Sequence, residues 1–104
     1  MGVMVMRLKG IENEPELQRI LWACYNYWQS ESSLPSSERV ICYSWVLRPY
    51  KDRFGVKFHQ SKLRRLTELG FLSPVDVSRG GRRCYYKIGD PDQVDNLLKK
   101  WGMH

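Results

Sequence analysis

The sequence predicts a small α+β domain, mostly helical, with its clearest strands after Gly70. Three observations carry this. Apolar residues recur at helical spacing before Gly70. They alternate in twos after it. Gly80-Gly81 then separates two strand-like runs. The 104 residues suit one modest core, burying about two-thirds of the surface of the unfolded chain. The apolar share of 42% and the charged share of 27% are those of an ordinary globular protein, which excludes a disordered chain or a disulfide-rich scaffold.

Residues 1–12 read as an N-terminal segment or short strand. The apolar run Met1–Met6 meets Arg7 and Lys9 too soon for a secretory signal. A first helix is predicted from about Pro15 to Gln29. Asn13 can cap it, and Pro15 suits its first turn. Leu17, Ile20, Leu21, Cys24 and Trp28 form one stripe along it. Ser30–Ser37, with Pro35, reads as a turn. A second helix is predicted from Ser36 or Ser37 to about Arg48. Val40, Ile41, Tyr43, Trp45, Val46 and Leu47 surround it, and Pro49 ends it. Asp52, Arg53 and Gly55 mark a turn. Val56 and Phe58 then alternate with Lys57 and His59, which allows a very short strand.

A third helix is predicted over 59–69, stopped by Gly70. Leu63, Leu66 and Leu69 cover one face. Gln60, Ser61, Arg64, Arg65 and Glu68 cover the other, with Lys62 beside the leucines. Phe71–Val77 reads as a strand that Pro74 confines to an edge. Cys84, Tyr86 and Ile88 alternate with Tyr85 and Lys87 in its partner, with Tyr86 on the core side. Asp90 caps a last helix with Pro91 in its first turn. Its stripe is Val94, Leu97, Leu98 and Trp101. The division expected is 1–12, a domain over 13–90 and a C-terminal helix over 91–104.

The net charge of +6 is unevenly placed. Residues 1–50 carry five Lys/Arg and five Glu, whereas residues 51–87 carry ten Lys/Arg against Asp52, Glu68 and Asp76. A basic block this compact on an otherwise neutral protein points to a polyanion.

The run Ser61-Lys-Leu-Arg-Arg-Leu-Thr-Glu-Leu-Gly-Phe-Leu72, followed by a hairpin with Arg79, Arg82 and Arg83 at its tip, resembles a winged helix-turn-helix domain. The resemblance covers roughly residues 14–90. It implies a three-helix core, a β-hairpin wing and a C-terminal helix. Two features depart from it: a long Arg48–Phe58 connection and Pro74 in the first wing strand. The resemblance implies recognition-helix roles for Gln60, Ser61, Arg64 and Arg65. It implies a wing role for Arg79, Arg82 and Arg83. Lys57, Lys62 and Lys87 read as backbone contacts or solvated charges. The residue chemistry agrees. Arginine offers a bidentate fork to guanine or phosphate, and glutamine offers one to adenine.

The expected function is therefore DNA binding, as a small transcriptional regulator. Helix 59–69 would enter the major groove, and the 78–83 arginine wing would lie on the backbone or minor groove. The alternative is a winged-helix module for protein or RNA contact, which the surplus aromatics Trp22, Tyr25, Trp45 and Tyr50 would serve. No nucleophile–base pair, P-loop or dinucleotide fingerprint marks an enzyme. Cys24, Cys42 and Cys84 read as buried free thiols. With His59 and His104 they make no zinc spacing, so no metal or cofactor is expected. A homodimer through the second or last helix is expected from their apolar surplus. The longest nearly apolar run, Val40–Leu47, is eight residues. A spanning helix needs about 20, so no membrane crossing is expected, and the cytoplasm is the expected compartment.

Overall fold

A computed structural model describes residues 10–75 and 84–103. The chain is α+β. Its order is α1 (Pro15–Ser30), a 3-10 turn (Ser36–Glu38), β1 (Ile41–Cys42), α2 (Tyr43–Phe54), α3 (Ser61–Glu68), β2 (Leu72–Val75), β3 (Tyr85–Ile88) and α4 (Pro91–Lys100). The strands form one antiparallel sheet in the order β1-β3-β2.

α1 buries the predicted stripe of Leu17, Ile20, Leu21, Cys24 and Trp28, together with Ala23. Its cap differs from expectation. Glu14, not Asn13, precedes the helix, and it makes no side-chain cap bond. Gln18 ties down the incoming chain instead, its Nε2 donating to the carbonyls of Ile11 at 2.9 Å and Glu12 at 3.0 Å. Gly10–Glu12 already forms a helical turn, which leaves Asn13 inside the bend rather than at the helix start.

The predicted second helix is corrected most. Its first half is a 3-10 turn and a strand. Ile41 pairs with Tyr86 and Cys42 with Tyr85. The helix itself begins at Tyr43 and runs through Pro49 to Phe54, where Gly55 ends it at φ 73°. Pro49 has no N–H to give to the Trp45 carbonyl, a defect of about 3 kcal/mol in an isolated helix. Aromatic packing beyond the proline offsets it. Tyr50 is 1% exposed. Its ring lies 5.0 Å from that of Phe54 and 4.8 Å from that of Phe58. Burying such a side chain contributes roughly 1.5–3 kcal/mol. Asp52 and Arg53 are consequently helical, and the link to α3 shrinks to residues 55–60. Val56–Phe58 forms no strand. Phe58 is buried, and its carbonyl accepts the Tyr43 hydroxyl at 2.5 Å.

The apolar circumference expected of this segment is used within the chain. Val46 and Tyr50 are buried, while Tyr43 and Leu47 pack partly buried against the core. Trp45 stands 5.6 Å from both Tyr27 and Tyr85.

α3 ends as its glycine predicts. Gly70 takes φ 85°. Its N–H meets the Thr67 carbonyl and that of Phe71 meets Leu66, both at 3.0 Å. Two of the helix's terminal carbonyls are thereby satisfied, and the chain turns straight into β2. Pro74 lies opposite Tyr86 on the outer strand β2, where a missing N–H is tolerated.

Asp90 caps α4 as expected, its Oδ1 accepting the Gln93 N–H at 3.2 Å. Val94, Leu97 and Leu98 are buried and Trp101 partly so. The helix stops at Lys100 rather than 104, because Gly102 takes φ 72° and reverses the chain. Cys24 and Cys42 are buried, but Cys84 is exposed, against expectation. It lies one residue before the paired part of β3, and no described strand residue lies opposite it.

Candidate nucleic-acid interface

α3 sits on the core through Leu63 and Leu66, both fully buried, and through Leu69 just beyond its end. The opposite side is open. Gln60, Ser61, Arg64, Arg65 and Glu68 are all exposed. The helix begins without a side-chain cap from Gln60. His59 supplies one, its Nδ1 accepting the Ser61 N–H at 3.1 Å and lying 2.9 Å from Ser61 Oγ.

The two arginines of α3 face different surroundings. Arg64 lines an open cleft of about 330 Å³ with His59, Gln60, Ser61, Cys84 and Tyr86. Among the described residues it makes no ion pair or side-chain hydrogen bond. Arg65 lies outside that cleft. Its Nη1 is 3.4 Å from Glu68 Oε2, a surface pair of the kind that contributes about 0–1 kcal/mol.

Tyr86 forms the cleft's floor. It is 8% exposed, and its hydroxyl has no hydrogen-bond partner among the described residues. Burial pushes its phenol above the ordinary value. Cys84 acts in the same direction, and the Arg64 charge opposes both. A positive charge, a hydroxyl and an amide thus converge on one opening with no carboxylate among its lining residues. That arrangement favours an anion.

The other predicted contacts divide. Lys57 is exposed on the link before α3. Lys62 turns back to α1, its Nζ 3.1 Å from Glu16 Oε1. Lys87 donates to the Ser37 carbonyl at 2.6 Å, tying β3 to the 3-10 turn. Arg79, Arg82 and Arg83, with Gly80-Gly81, lie outside the described residues. Sequence reasoning missed His59, Cys84 and Tyr86 as parts of one site. The available signal was Cys84's place directly after Arg82-Arg83. It also missed Arg48 and Lys51, which flank an open surface on α2 beside Ser44 and Asp52.

Among the described residues, no group of three or more His, Cys, Asp or Glu could hold a metal ion, and no helix is long and apolar enough to cross a membrane. No protein-family model, curated protein or solved structure matches the chain.

Proposed function

We propose that this protein is a winged helix-turn-helix DNA-binding protein, acting as a small transcriptional regulator. α3 enters the major groove, and the arginine segment 78–83 lies on the adjacent backbone or minor groove. The observation that carries the reading is the division of α3. Leu63, Leu66 and Leu69 are buried, and Gln60, Ser61, Arg64 and Arg65 are all exposed on the side away from them. A major groove about 12 Å wide admits one such helix. The element order and the three-stranded antiparallel sheet suit the same architecture.

In this reading Arg64 and Arg65 contact guanine edges or phosphates, and Gln60 contacts adenine. Ser61 meets a phosphate at the positive end of the helix. Arg79, Arg82, Arg83 and Lys57 neutralise backbone charge. Lys62 joins them by releasing Glu16, since an exposed pair holds it by only ~0–1 kcal/mol.

Selection of bound duplexes from a random pool, followed by titration of the winner across salt concentrations, tests this. If about five phosphates are neutralised, log affinity falls against log salt with a slope of roughly −4 to −5. A salt-insensitive complex, or no selected duplex, overturns the reading. A homodimer would be expected to select two half-sites about one duplex turn apart, and a monomer a single half-site. Light scattering at the same protein concentration decides between them.

A further inference from the structure

We propose that Cys84 is a thiol-modification site served by the cleft around it, and that its substrate is an anionic low-molecular-weight disulfide of the glutathione class. Three independent features meet there. Cys84 is the exposed thiol, whereas Cys24 and Cys42 are buried. Arg64 faces the same opening with no carboxylate to neutralise it among the described residues. Tyr86, more than nine-tenths buried, lines that opening with a hydroxyl that lacks a partner among the described residues. A phenol hydroxyl that opens onto a cleft from an otherwise buried side chain can donate a hydrogen bond to a ligand there. Gln60 and Ser61 add an amide and a hydroxyl at the rim. The volume of about 330 Å³ falls within the range of small-ligand clefts, ~300–1,000 Å³.

The chemistry is thiol–disulfide exchange. The Cys84 thiolate attacks one sulfur of the incoming disulfide, and a new S–S bond forms as the old one breaks. The departing thiolate takes up the proton that Cys84 released, so one reduced thiol leaves for each protein thiol capped. Arg64 and the Tyr86 hydroxyl receive the carboxylates of the half that stays. Cys24 takes no part, because burial holds its thiol protonated far above the ordinary range.

The consequence for regulation rests on the DNA-binding reading. The adduct fills the space beside Gln60, Ser61 and Arg64 and adds carboxylates where phosphate would sit. Duplex binding is thereby switched off until a reducing thiol reverses the exchange.

The test treats the native protein with glutathione disulfide or with cystamine, a cationic disulfide, at equal concentration. Intact mass and peptide mapping follow the adduct. The expected result is modification at Cys84 and not at Cys24 or Cys42, roughly tenfold faster with the anionic disulfide. Arg64→Gln should remove most of that preference, and Cys84→Ser should abolish the adduct. Equal rates for the two disulfides overturn the proposal. So does a preference that survives Arg64→Gln, which would assign the attraction to neighbouring arginines of the chain instead. Duplex affinity is then compared before and after capping, with a loss of roughly tenfold or more expected, restored by reductant. An unchanged affinity removes the regulatory part. Failure of the unmodified protein to bind any duplex removes the DNA reading and leaves the mapped Cys84 chemistry standing.

Discussion

Arg19 of α1, Arg39 after the 3-10 turn and Arg53 of α2 lie over aromatic rings; Arg64 and Arg65 of α3 do not. The Arg39 guanidinium is 4.5 Å from the Trp28 ring centroid, and that of Arg53 is 4.4 Å from Trp22. Arg19 stands 5.6 Å from Phe54. Each of these charges covers an edge of the core and is attracted by the ring beneath it. Among the described residues Arg64 lies over no aromatic ring and pairs with no acid, and Arg65 has only exposed Glu68. The first group contributes to folding. The second contributes almost nothing to it, so its place on one exposed helix face asks for a different explanation. Charge count alone does not separate the two groups; their partners do.

The contrast breaks most completely if the platform under α3 is removed. Leu66→Ala should destabilise the fold by about 2–5 kcal/mol, the usual range for a buried leucine, and lose duplex binding with it. Denaturant titration measures the first and anisotropy the second. Arg64→Ala should do the reverse. Stability stays within roughly 0.5 kcal/mol, as for an exposed position. Duplex affinity falls by about 1–3 kcal/mol, or roughly five- to 150-fold. A variant that loses stability but keeps its affinity would place Arg64 with the structural group. Arg39→Ala should lower stability by about 0.5–1 kcal/mol and leave duplex affinity within roughly twofold.

The smallest effect concerns Glu31, which lies near Arg39. One of its carboxylate oxygens is out of contact with water and has no partner among the described residues. Burial holds its carboxyl above the ordinary value, against the pull of Arg39. The folded chain therefore binds this proton more tightly than the unfolded chain. Its contribution turns unfavourable as pH rises past the unfolded value, and the penalty is complete above the raised folded value. Glu31→Gln should raise stability at pH 7 by a few tenths to about 1 kcal/mol. The gain should vanish on acidification to the unfolded value and below. Melts at pH 7 and pH 4 measure the difference.

What was readable in the sequence was local. The α1 stripe, the three leucines of α3, the Gly70 stop and the Asp90 cap depend on residues within a few positions of one another. What was not readable depends on distant partners. Ile41 and Cys42 become a strand because Tyr86 and Tyr85 lie alongside. α2 passes through Pro49 because Tyr50 has Phe58 to pack against. Cys84 follows the alternation of a buried strand face, yet it is exposed, one residue before the pairing described for β3. In the candidate site, the open face of α3 was legible from its 3.6-residue period. The return of Lys62 to Glu16 and the joining of His59 and Arg64 to Tyr86 were not, since each crosses between elements.

The two hydrogen bonds that close α3 at Gly70 and Phe71 join that helix to β2 through a very short turn. In the duplex-binding reading, so short a tether restricts the angle between helix and strand before any encounter. Docking onto a surface then freezes few internal motions, and more of the contact energy is left to appear as affinity.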